Sequence, residues 1–329
     1  MLCVLATVGL AVGAVGCGGD DSSGSRPAAA AGSSGALQEA RVVAFPASQM
    51  LTPYIARDEG RFEAVGLPVK IEMFSAGSTA NILPQVLAGK LQIAQTALAD
   101  IVPAIASGQP LQVLPGFGTL IEGSVETSTN TIVTDDPSIK ELKDLAGKKV
   151  GLNALRTSHE LYLRAQLEKA GVDADSVTFV AVPLANMAAS IKKGQIDAGQ
   201  ALEPFISLAE GAGMHRVAAI GAGVADGLPS VVFWTSRKYA QEHPDEIAAF
   251  AKAMKATITE SLASNPKGVA DYMKKYTEIP PEAISQIANF GTFSTDVTPE
   301  KIEQVAKVLE QAGGIKSVPP PSEWIVGQQ

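Results

Sequence analysis

The sequence predicts an α/β protein built from two similar lobes, and three observations support that fold class. The chain has 329 residues, which exceeds the usual size of a single hydrophobic core. A short pattern occurs twice, as GKLQIAQ at 89–95 and as GQIDAGQ at 194–200. Strand and helix patterns alternate around both copies, as in proteins with parallel sheets. Only the glycine and the last glutamine are identical, so chance similarity is the alternative to duplication.

The composition is that of an acidic protein with enough apolar residues for two cores. Hydrophobic residues make up 46% of the chain and charged residues 18%. The net charge of −8 is not accompanied by a basic stripe, which argues against a nucleic-acid partner. We therefore expect a soluble surface and no contact with DNA or RNA.

The first residues have the pattern of an export signal. The run 1–16 is apolar and uncharged but too short to span a bilayer as a helix. It ends in Ala-Val-Gly followed by Cys17, which resembles a bacterial lipobox, where cleavage leaves a lipidated cysteine. An ordinary signal or an uncleaved anchor is the alternative. Both cysteines lie within residues 1–17, so the sequence after them excludes disulfides and thiolate catalysis.

Residues 18–37 are predicted to form a flexible tether. They are small, polar and without hydrophobic periodicity. A flexible chain of about 20 residues reaches roughly 25 Å from end to end. Such a tether would hold the folded body just off a membrane, where it can meet a membrane partner.

The first lobe is predicted from the alternation of short apolar strands with helices. Pro53 suits the first turn of the first helix. After the last strand, hydroxylic residues dominate, and we interpret the region from Ile121 as the crossing to the second lobe. The predicted strands are 41–45, 69–74, 91–95 and 111–114, and the predicted helices are 52–61, 80–88 and 98–106.

The second lobe repeats this layout, and the chain then returns. A strand at 230–235 is predicted to be the second crossing, and four helices that begin near a proline are expected to pack on the first lobe. This gives lobe one as 38–121 plus 236–329 and lobe two as 122–235. The predicted strands of lobe two are 131–134, 148–152, 177–180 and 196–198, its helices are 158–170 and 184–193, and the returning helices are 244–264, 266–276, 280–290 and 299–312.

Four stretches carry a resemblance to a known family. They are PYIARDEGRFEAVGLPV at 53–69, GSTANILPQVLAGKLQIAQ at 77–95, DLAGKKVGL at 144–152 and KKGQIDAGQALEP at 192–204. Together they resemble the solute-binding proteins of ABC importers for nitrate, sulfonates and taurine, over residues 41–235. The resemblance implies the type II periplasmic-binding-protein fold, in which two crossing strands join two α/β lobes. It also implies a ligand in the cleft, hinge closure around it, and an importer permease as partner.

Three loops of the first lobe are placed to hold a ligand. In open α/β sheets, ligands bind outside the carboxyl ends of the strands. The loop before the second helix carries hydroxylic residues at a helix N-terminus, which favours an anionic oxygen. Helix capping is the alternative for Ser78, and packing is the alternative for the loop after the third strand. The candidates here are Ser48, Gln49, Gly77, Ser78, Thr79, Gln95 and Thr96.

The second lobe contributes an arginine at a helix start. The guanidinium of Arg156 can bind a sulfonate, carboxylate or nitrate through forked hydrogen bonds, and an exposed surface arginine is the alternative. Glu203 precedes Pro204 and could accept from an amine or hydroxyl of the ligand, with helix capping as the alternative. The candidates are Asn153, Arg156, Thr157, Ser158, Asn186 and Glu203.

Aromatic residues are scarce, at 5% of the chain, so a stacking site for a large flat ligand is poorly supplied. We expect Trp234 to pack in the second crossing strand. Tyr54, in the first helix, either borders the cleft or packs inside the lobe.

Enzyme motifs are absent from the sequence. It contains no GxSxG, P-loop or Rossmann fingerprint, and its three histidines are too scattered for a metal pair. Ser158 and His159 are adjacent, and consecutive helix residues do not face each other. The sequence therefore predicts no catalysis, no metal and no cofactor.

These observations predict a monomeric, lipid-anchored extracytoplasmic receptor that passes a small anion to an ABC importer. Two alternatives stay open. The solute could be neutral and pyrimidine-like or aromatic, or the protein could be a lipoprotein that senses a solute and reports it to a signalling partner.

Overall fold

A computed structural model describes residues 36–45, 47–74 and 79–328 of the chain. Leu37–Gln329 form one compact unit. Within the described ranges, no helix is both long enough and apolar enough to cross a membrane. The lipobox, Cys17 and most of the tether lie outside the described residues.

The first sheet has five strands in the order β2–β1–β3–β11–β4. Strand β1 pairs in parallel with β2 and β3, and β11 runs antiparallel between β3 and β4. Every residue of β4 and of β11 is buried, which explains why their sequences are mostly apolar and do not alternate with charged residues. The strands are β1 Ala40–Ala44, β2 Val69–Met73, β3 Ile93–Ala97, β4 Leu111–Leu114 and β11 Val231–Ser236.

The second sheet has the same plan. Its order is β10–β6–β9–β7–β8, with β7 parallel to β8 and β9, and β6 antiparallel to both of its neighbours. In each sheet the antiparallel strand is the one that follows a crossing between the sheets. The strands are β6 Asn130–Thr134, β7 Lys149–Leu152, β8 Thr178–Ala181, β9 Ala198–Leu202 and β10 His215–Ala219.

Helices follow most strands, and several match the predicted ranges closely. The predicted helix 52–61 is divided, because Gly60 adopts a left-handed φ of 69° that ends one helix before the next begins. The helices are α1 Thr52–Asp58, α2 Arg61–Ala64, α3 Thr79–Leu87, α4 Leu98–Ala106, α5 Ser158–Lys169, α6 Leu184–Lys192, α7 Phe205–Gly211, α8 Arg237–Glu242, α9 Pro244–Ala256, α10 Val269–Tyr276, α11 Pro281–Ser285, α12 Pro299–Gln311 and α13 Pro321–Trp324.

The two copies of the short repeat occupy equivalent places in the two sheets. Each begins with a glycine of positive φ after a helix and leads into the central strand of its sheet, β3 or β9. The backbone amide of Arg41 donates to Gln92 Oε1 at 2.9 Å, and that of Lys149 donates to Asp197 Oδ2 at 2.7 Å. Gln92 and Asp197 are the fourth residues of their repeats. The repeated pattern therefore performs the same structural task twice.

The two chain segments that connect the sheets are hydrogen-bonded to each other. Strand β5, Gly118–Leu120, lies in the outgoing segment. The amide of Ser230 donates to Thr119 O at 2.8 Å, and the amide of Ile121 donates to Leu228 O at 2.8 Å. Strand β11 is already paired with the first sheet at Val231, whereas the sequence predicted that lobe two runs to residue 235. The wider division into lobes stays a prediction.

The region after β11 differs from the all-helical prediction in one respect. Strand β12, Thr292–Ser294, pairs antiparallel with β5. It therefore lies beside the connecting segments, and the predicted helix 280–290 shortens to α11. The predicted helix 244–264 continues beyond α9 as a π-helical segment, Thr257–Leu262.

Candidate functional site

A cavity of about 1160 Å³ opens at the carboxyl ends of the strands of both sheets. Its lining comes from the loops after β1, β3, β7 and β9, from the starts of α4 and α5, and from the connecting segments. This is the position at which open α/β sheets bind ligands. Apolar side chains such as Phe45, Phe205 and Leu208 contribute much of the wall.

Most of the predicted ligand-binding residues line this cavity, but not all. Gln95 lies beneath it and is 1% exposed. Asn186 is on α6, outside the lining. Gly77, Ser78 and the side chain of Thr79 lie outside the described residues. The predicted residues that line the cavity are Ser48, Gln49, Thr96, Asn153, Arg156, Thr157, Ser158 and Glu203.

Gln95 and Gln200, the last residues of the two repeats, support the loops that line the cavity. Gln95 Nε2 donates to Gln49 O at 3.2 Å and to Thr52 Oγ1 at 3.4 Å. Gln200 Oε1 accepts from the backbone amide of Asn153 at 3.1 Å. Each glutamine thus supports a loop that follows a parallel strand, β1 for Gln95 and β7 for Gln200. Gln95 is buried and does not line the cavity, so the structure shows loop support for it, and its predicted ligand contact stays a prediction.

A hydrogen-bond network around Glu122 joins the connecting segments to the first lobe. Glu122 Oε2 accepts from the amide and hydroxyl of Thr129, both at 3.0 Å. Its Oε1 accepts from Asn289 Nδ2 at 3.1 Å and from Thr292 Oγ1 at 3.2 Å. Gln49 Nε2 also donates to Thr129 Oγ1. Glu122 was not predicted from the sequence, because two of its three partners, Asn289 and Thr292, are distant in the chain.

Asp100 and Ser158 connect the two lobes across the cavity. Asp100 is in the first turn of α4, which follows strand β3 of the first sheet. Ser158 is the first residue of α5, which follows strand β7 of the second sheet. Asp100 Oδ1 accepts from Ser158 N at 3.1 Å and from Ser158 Oγ at 2.7 Å. A carboxylate at a helix N-terminus is electrostatically favourable. The protein's own carboxylate therefore occupies the place where the sequence predicted a ligand anion at Ser158.

Three polar atoms in the wall of the second lobe are buried and have no hydrogen-bond partner among the described residues. They are Asn153 Oδ1, His159 Nδ1 and the hydroxyl of Tyr162. Burial lowers the pKa of His159, which favours a neutral imidazole. Burial, reinforced by the charge of Asp100, raises the pKa of Tyr162, so its hydroxyl stays protonated. These groups are neutral, and the three atoms make no hydrogen bond to any described residue.

Glu203 is engaged inside the second lobe. Its carboxylate accepts from Ser207 N at 3.2 Å and from Ser207 Oγ at 3.0 Å, and it lies 3.9 Å from Arg216. Burial raises the pKa of Glu203, against the lowering effects of Ser207 and Arg216. Glu203 therefore caps the start of α7, which is the alternative that the sequence analysis left open.

Arg156 is the one lysine or arginine among the described residues that line the cavity. It is exposed, and its φ of 60° makes it the single described non-glycine residue with a left-handed backbone. Its amide donates to Glu160 Oε2 at 2.7 Å. Strain of this kind in a cavity loop is a feature of functional sites. The guanidinium has no hydrogen bond or ion pair with another described residue, so it is available at the rim.

Two aromatic expectations are settled by packing. Trp234 is 0% exposed in β11, as predicted. Tyr54 stacks on Tyr276 at a ring-centroid distance of 4.2 Å and is itself buried, so it packs inside the lobe. Tyr276 is the member of the pair that lines the cavity.

Comparison with known proteins decides the family. A family model described as NMT1/THI5 like matches residues 47–268. The chain belongs to this family. A taurine-binding periplasmic protein of Escherichia coli (strain K12) is 26% identical over 189 residues, which are 57% of this chain and 56% of that protein. A Bacillus subtilis (strain 168) protein, provisionally named for binding aliphatic sulfonates, is 27% identical over 236 residues, 69% of this chain and 67% of that protein.

A solved structure confirms the fold. The periplasmic aliphatic sulphonate binding protein of Escherichia coli is 20% identical and superposes with a TM-score of 0.67. The match covers 87% of this chain and 97% of that chain. The family resemblance and the type II periplasmic-binding-protein fold predicted from the sequence are both confirmed.

Proposed function

We propose that this member of the NMT1/THI5-like family is an extracytoplasmic solute-binding protein that captures a small anion and delivers it to an ABC importer. The observation that carries the proposal is the cavity between two sheets of the same plan, lined by the loops at their strand ends. The names of the taurine-binding and sulfonate-binding relatives support an anionic solute. Such a protein has a binding task and no reaction to catalyse.

Two hydrogen-bonded connecting segments suit this function mechanically. A hinge of two short segments lets two lobes rotate as rigid bodies. A ligand favours the closed form only if it binds that form more tightly than the open one. Contacts from both lobes, such as Gln49 on one side and Asn153 on the other, supply that difference. The closed form is then the one that an importer would recognise.

The proposal includes attachment to a membrane through Cys17 and the tether 18–37. Its support is the lipobox-like sequence before Cys17. Mass spectrometry of the N-terminal peptide from the native host tests it, and an unmodified Cys17 would contradict it.

Binding of an anion is expected to stabilise the protein strongly. A ligand at 100 times its dissociation constant adds about 2.7 kcal/mol to the free energy of unfolding. The measurement is a thermal-shift screen with sulfonates, nitrate, carboxylates and pyrimidines. If no anion raises the melting temperature and pyrimidines do, the anion proposal is wrong.

A neutral solute is the second candidate, and the charges of the cavity favour it. Four carboxylates line the cavity, and the guanidinium of Arg156 is the one positively charged arginine or lysine group among the described lining residues. Phe45 and Phe205 in the wall offer apolar contact to a ring. The same screen separates this candidate from the first.

Replacing Arg156 by alanine is expected to weaken the binding of an anionic ligand by more than tenfold. The physical reason is the loss of charge-assisted hydrogen bonds, which contribute about 1.5–3 kcal/mol. Calorimetry measures the dissociation constant directly. An unchanged value would remove Arg156 from the site.

The left-handed backbone at Arg156 calls for a second variant. Asparagine tolerates this conformation better than other non-glycine residues, so Arg156→Asn removes the guanidinium with little change in backbone preference. The two variants should lose affinity equally. If Arg156→Asn binds as the wild type does while Arg156→Ala does not, the loop conformation matters and the charge does not.

A further inference from the structure

Asp100 lines the cavity, and one of its two carboxylate oxygens accepts no hydrogen bond from a described residue. Its Oδ1 accepts both hydrogen bonds from Ser158. Its Oδ2 has no hydrogen bond to any described residue, and no described lysine, arginine or histidine forms an ion pair with it. The side chain is half-buried and lines the cavity. Because Ser158 holds Oδ1, Oδ2 is left as an acceptor that a donor group of a ligand in the cavity can use.

Three residues with buried, unpartnered polar atoms line the same cavity as this carboxylate. His159 and Tyr162 are three residues apart on α5 and so lie on the same side of that helix. Ser158, whose amide and hydroxyl both donate to Asp100, directly precedes His159 and lies four residues before Tyr162, so the carboxylate lies at the start of the helix that carries both residues. Asn153 Oδ1 can only accept, a neutral imidazole can accept at Nδ1, and a phenol can do either. All three atoms are buried and without a partner among the described residues.

Two other carboxylates that line the cavity, Glu122 and Glu203, have no oxygen free of hydrogen bonds. Glu122 accepts from three neighbouring residues, and Glu203 accepts from Ser207 near Arg216. The guanidinium of Arg156 is at the rim and exposed. Glu278 is exposed, so Asp100 is the one of the four carboxylates in the lining that combines partial burial with an oxygen free of hydrogen bonds to described residues.

We propose that Asp100, Asn153, His159 and Tyr162 form a subsite for a nitrogen group of the ligand that donates hydrogen bonds, such as an amine or an ammonium. The ligand then carries this group in addition to an acid group, which distinguishes it from nitrate and from simple alkanesulfonates. This inference rests on the proposed function, because it assigns one end of the solute that the cavity is proposed to capture.

The geometry gives each residue a separate part. Asp100 Oδ2 supplies the charge, while the bonds from Ser158 to Oδ1 hold the carboxylate in position. Asn153 Oδ1 and Tyr162 supply further acceptors, which fix the direction of the donating hydrogens. A ligand without donors would leave these buried atoms unpaired, and selectivity of this kind is large for buried polar groups.

The test compares matched pairs of ligands on the full-length protein. Each pair consists of a short-chain sulfonate or carboxylate and the same molecule with a terminal amino group. Calorimetry on the wild type is expected to show the amino member binding about ten- to a hundredfold more tightly. Asp100→Asn should reduce this difference to about threefold or less, since asparagine keeps the acceptor for Ser158 and removes the charge.

Glu278→Gln is the matched control. Glu278 is an exposed carboxylate that also lines the cavity, so this variant makes the same change in net charge at the rim. The preference for the amino member should survive in Glu278→Gln. An equal loss in both variants would show a general effect of charge and overturn the subsite.

Tyr162→Phe gives a readout that a structural role would not produce. Because the hydroxyl has no described partner, its removal should leave the melting temperature of the free protein unchanged or raise it. The stabilisation by the amino ligand should nevertheless fall. A lower melting temperature without ligand and an unchanged ligand effect would exclude Tyr162 from the subsite.

The outcomes separate this inference from the proposed function. If amine-free anions bind as tightly as their amino partners, the subsite is wrong and the anion receptor stands. If no anion binds but primary amines without an acid group do, and Asp100→Asn abolishes that binding, the subsite stands and the anion receptor is wrong. If none of these molecules binds, both are wrong.

Discussion

Replacing Trp234 by alanine is expected to lower the free energy of unfolding by about 3–5 kcal/mol. Trp234 is 0% exposed in β11, an inner strand of the first sheet between β3 and β4. Few described side chains of its size are buried as completely. Truncation there leaves a cavity that a five-stranded sheet cannot collapse to fill.

The same side chain also reaches the binding cavity through one hydrogen bond. Trp234 Nε1 donates to Thr96 Oγ1 at 2.9 Å, and Thr96 lines the cavity. Loss of the indole therefore frees a hydroxyl in the wall as well as removing apolar contacts. We expect weaker ligand binding in addition to lower stability.

Urea denaturation followed by far-ultraviolet circular dichroism measures the stability change. Trp234→Phe is the control, because it keeps an aromatic ring in the sheet and removes the N–H donor. Its cost should be smaller, about 1–3 kcal/mol. A loss below about 1 kcal/mol for Trp234→Ala would contradict the central packing role of this strand.

How well the sequence predicted each element depended on how local its determinants are. Strand β4 and helix α4 were predicted to the residue. The amphipathic run of α4 ends just before Gly108, and the mostly apolar run of β4 begins just after Pro110. Strands β5, β10 and β12 were missed. β5 and β12 have three residues each, and their pairing brings Thr292 to Leu120 from far away in the chain.

The candidate site was predictable only where topology alone decides it. Loops after parallel strands lie at one edge of a sheet, so Gln49, Asn153 and Arg156 could be selected without a structure. Asp100 and Tyr162 could not, because their role depends on the approach of the first lobe to α5. A signal was present at the start of α5, where Ser158 was predicted as a ligand contact while the adjacent His159 was considered only for a metal site or a catalytic pair.

Replacing Arg216 by alanine is expected to be as damaging as the loss of Trp234, at about 3–5 kcal/mol. The guanidinium is 10% exposed and pairs with Glu210 at 2.7 Å. It also donates to the carbonyl oxygens of Val125, Glu126 and Ser128, at 3.0–3.1 Å. These carbonyls belong to the segment that leads into β6. Arg216 therefore fastens a connecting segment to the second lobe.

Removal of Arg216 also leaves the buried carboxylate of Glu203 without its nearby cation. Burial already raises the pKa of Glu203, and an acid whose pKa is raised by folding costs stability as the pH increases through that range. The loss caused by Arg216→Ala should therefore be smaller at mildly acidic pH, where Glu203 is protonated, than at neutral pH.

The matched control for this variant is Arg164→Ala. Arg164 forms ion pairs with Glu160 and Asp175 but is 32% exposed, and exposed pairs contribute about 1 kcal/mol or less. Urea denaturation at two pH values measures both variants. Arg216→Ala combined with Glu203→Gln should recover part of the loss, because it removes the carboxylate charge that would stay buried. Equal losses for Arg216→Ala and Arg164→Ala, or no recovery in the double variant, would show that burial of this cluster does not govern the stability of the connection between the lobes.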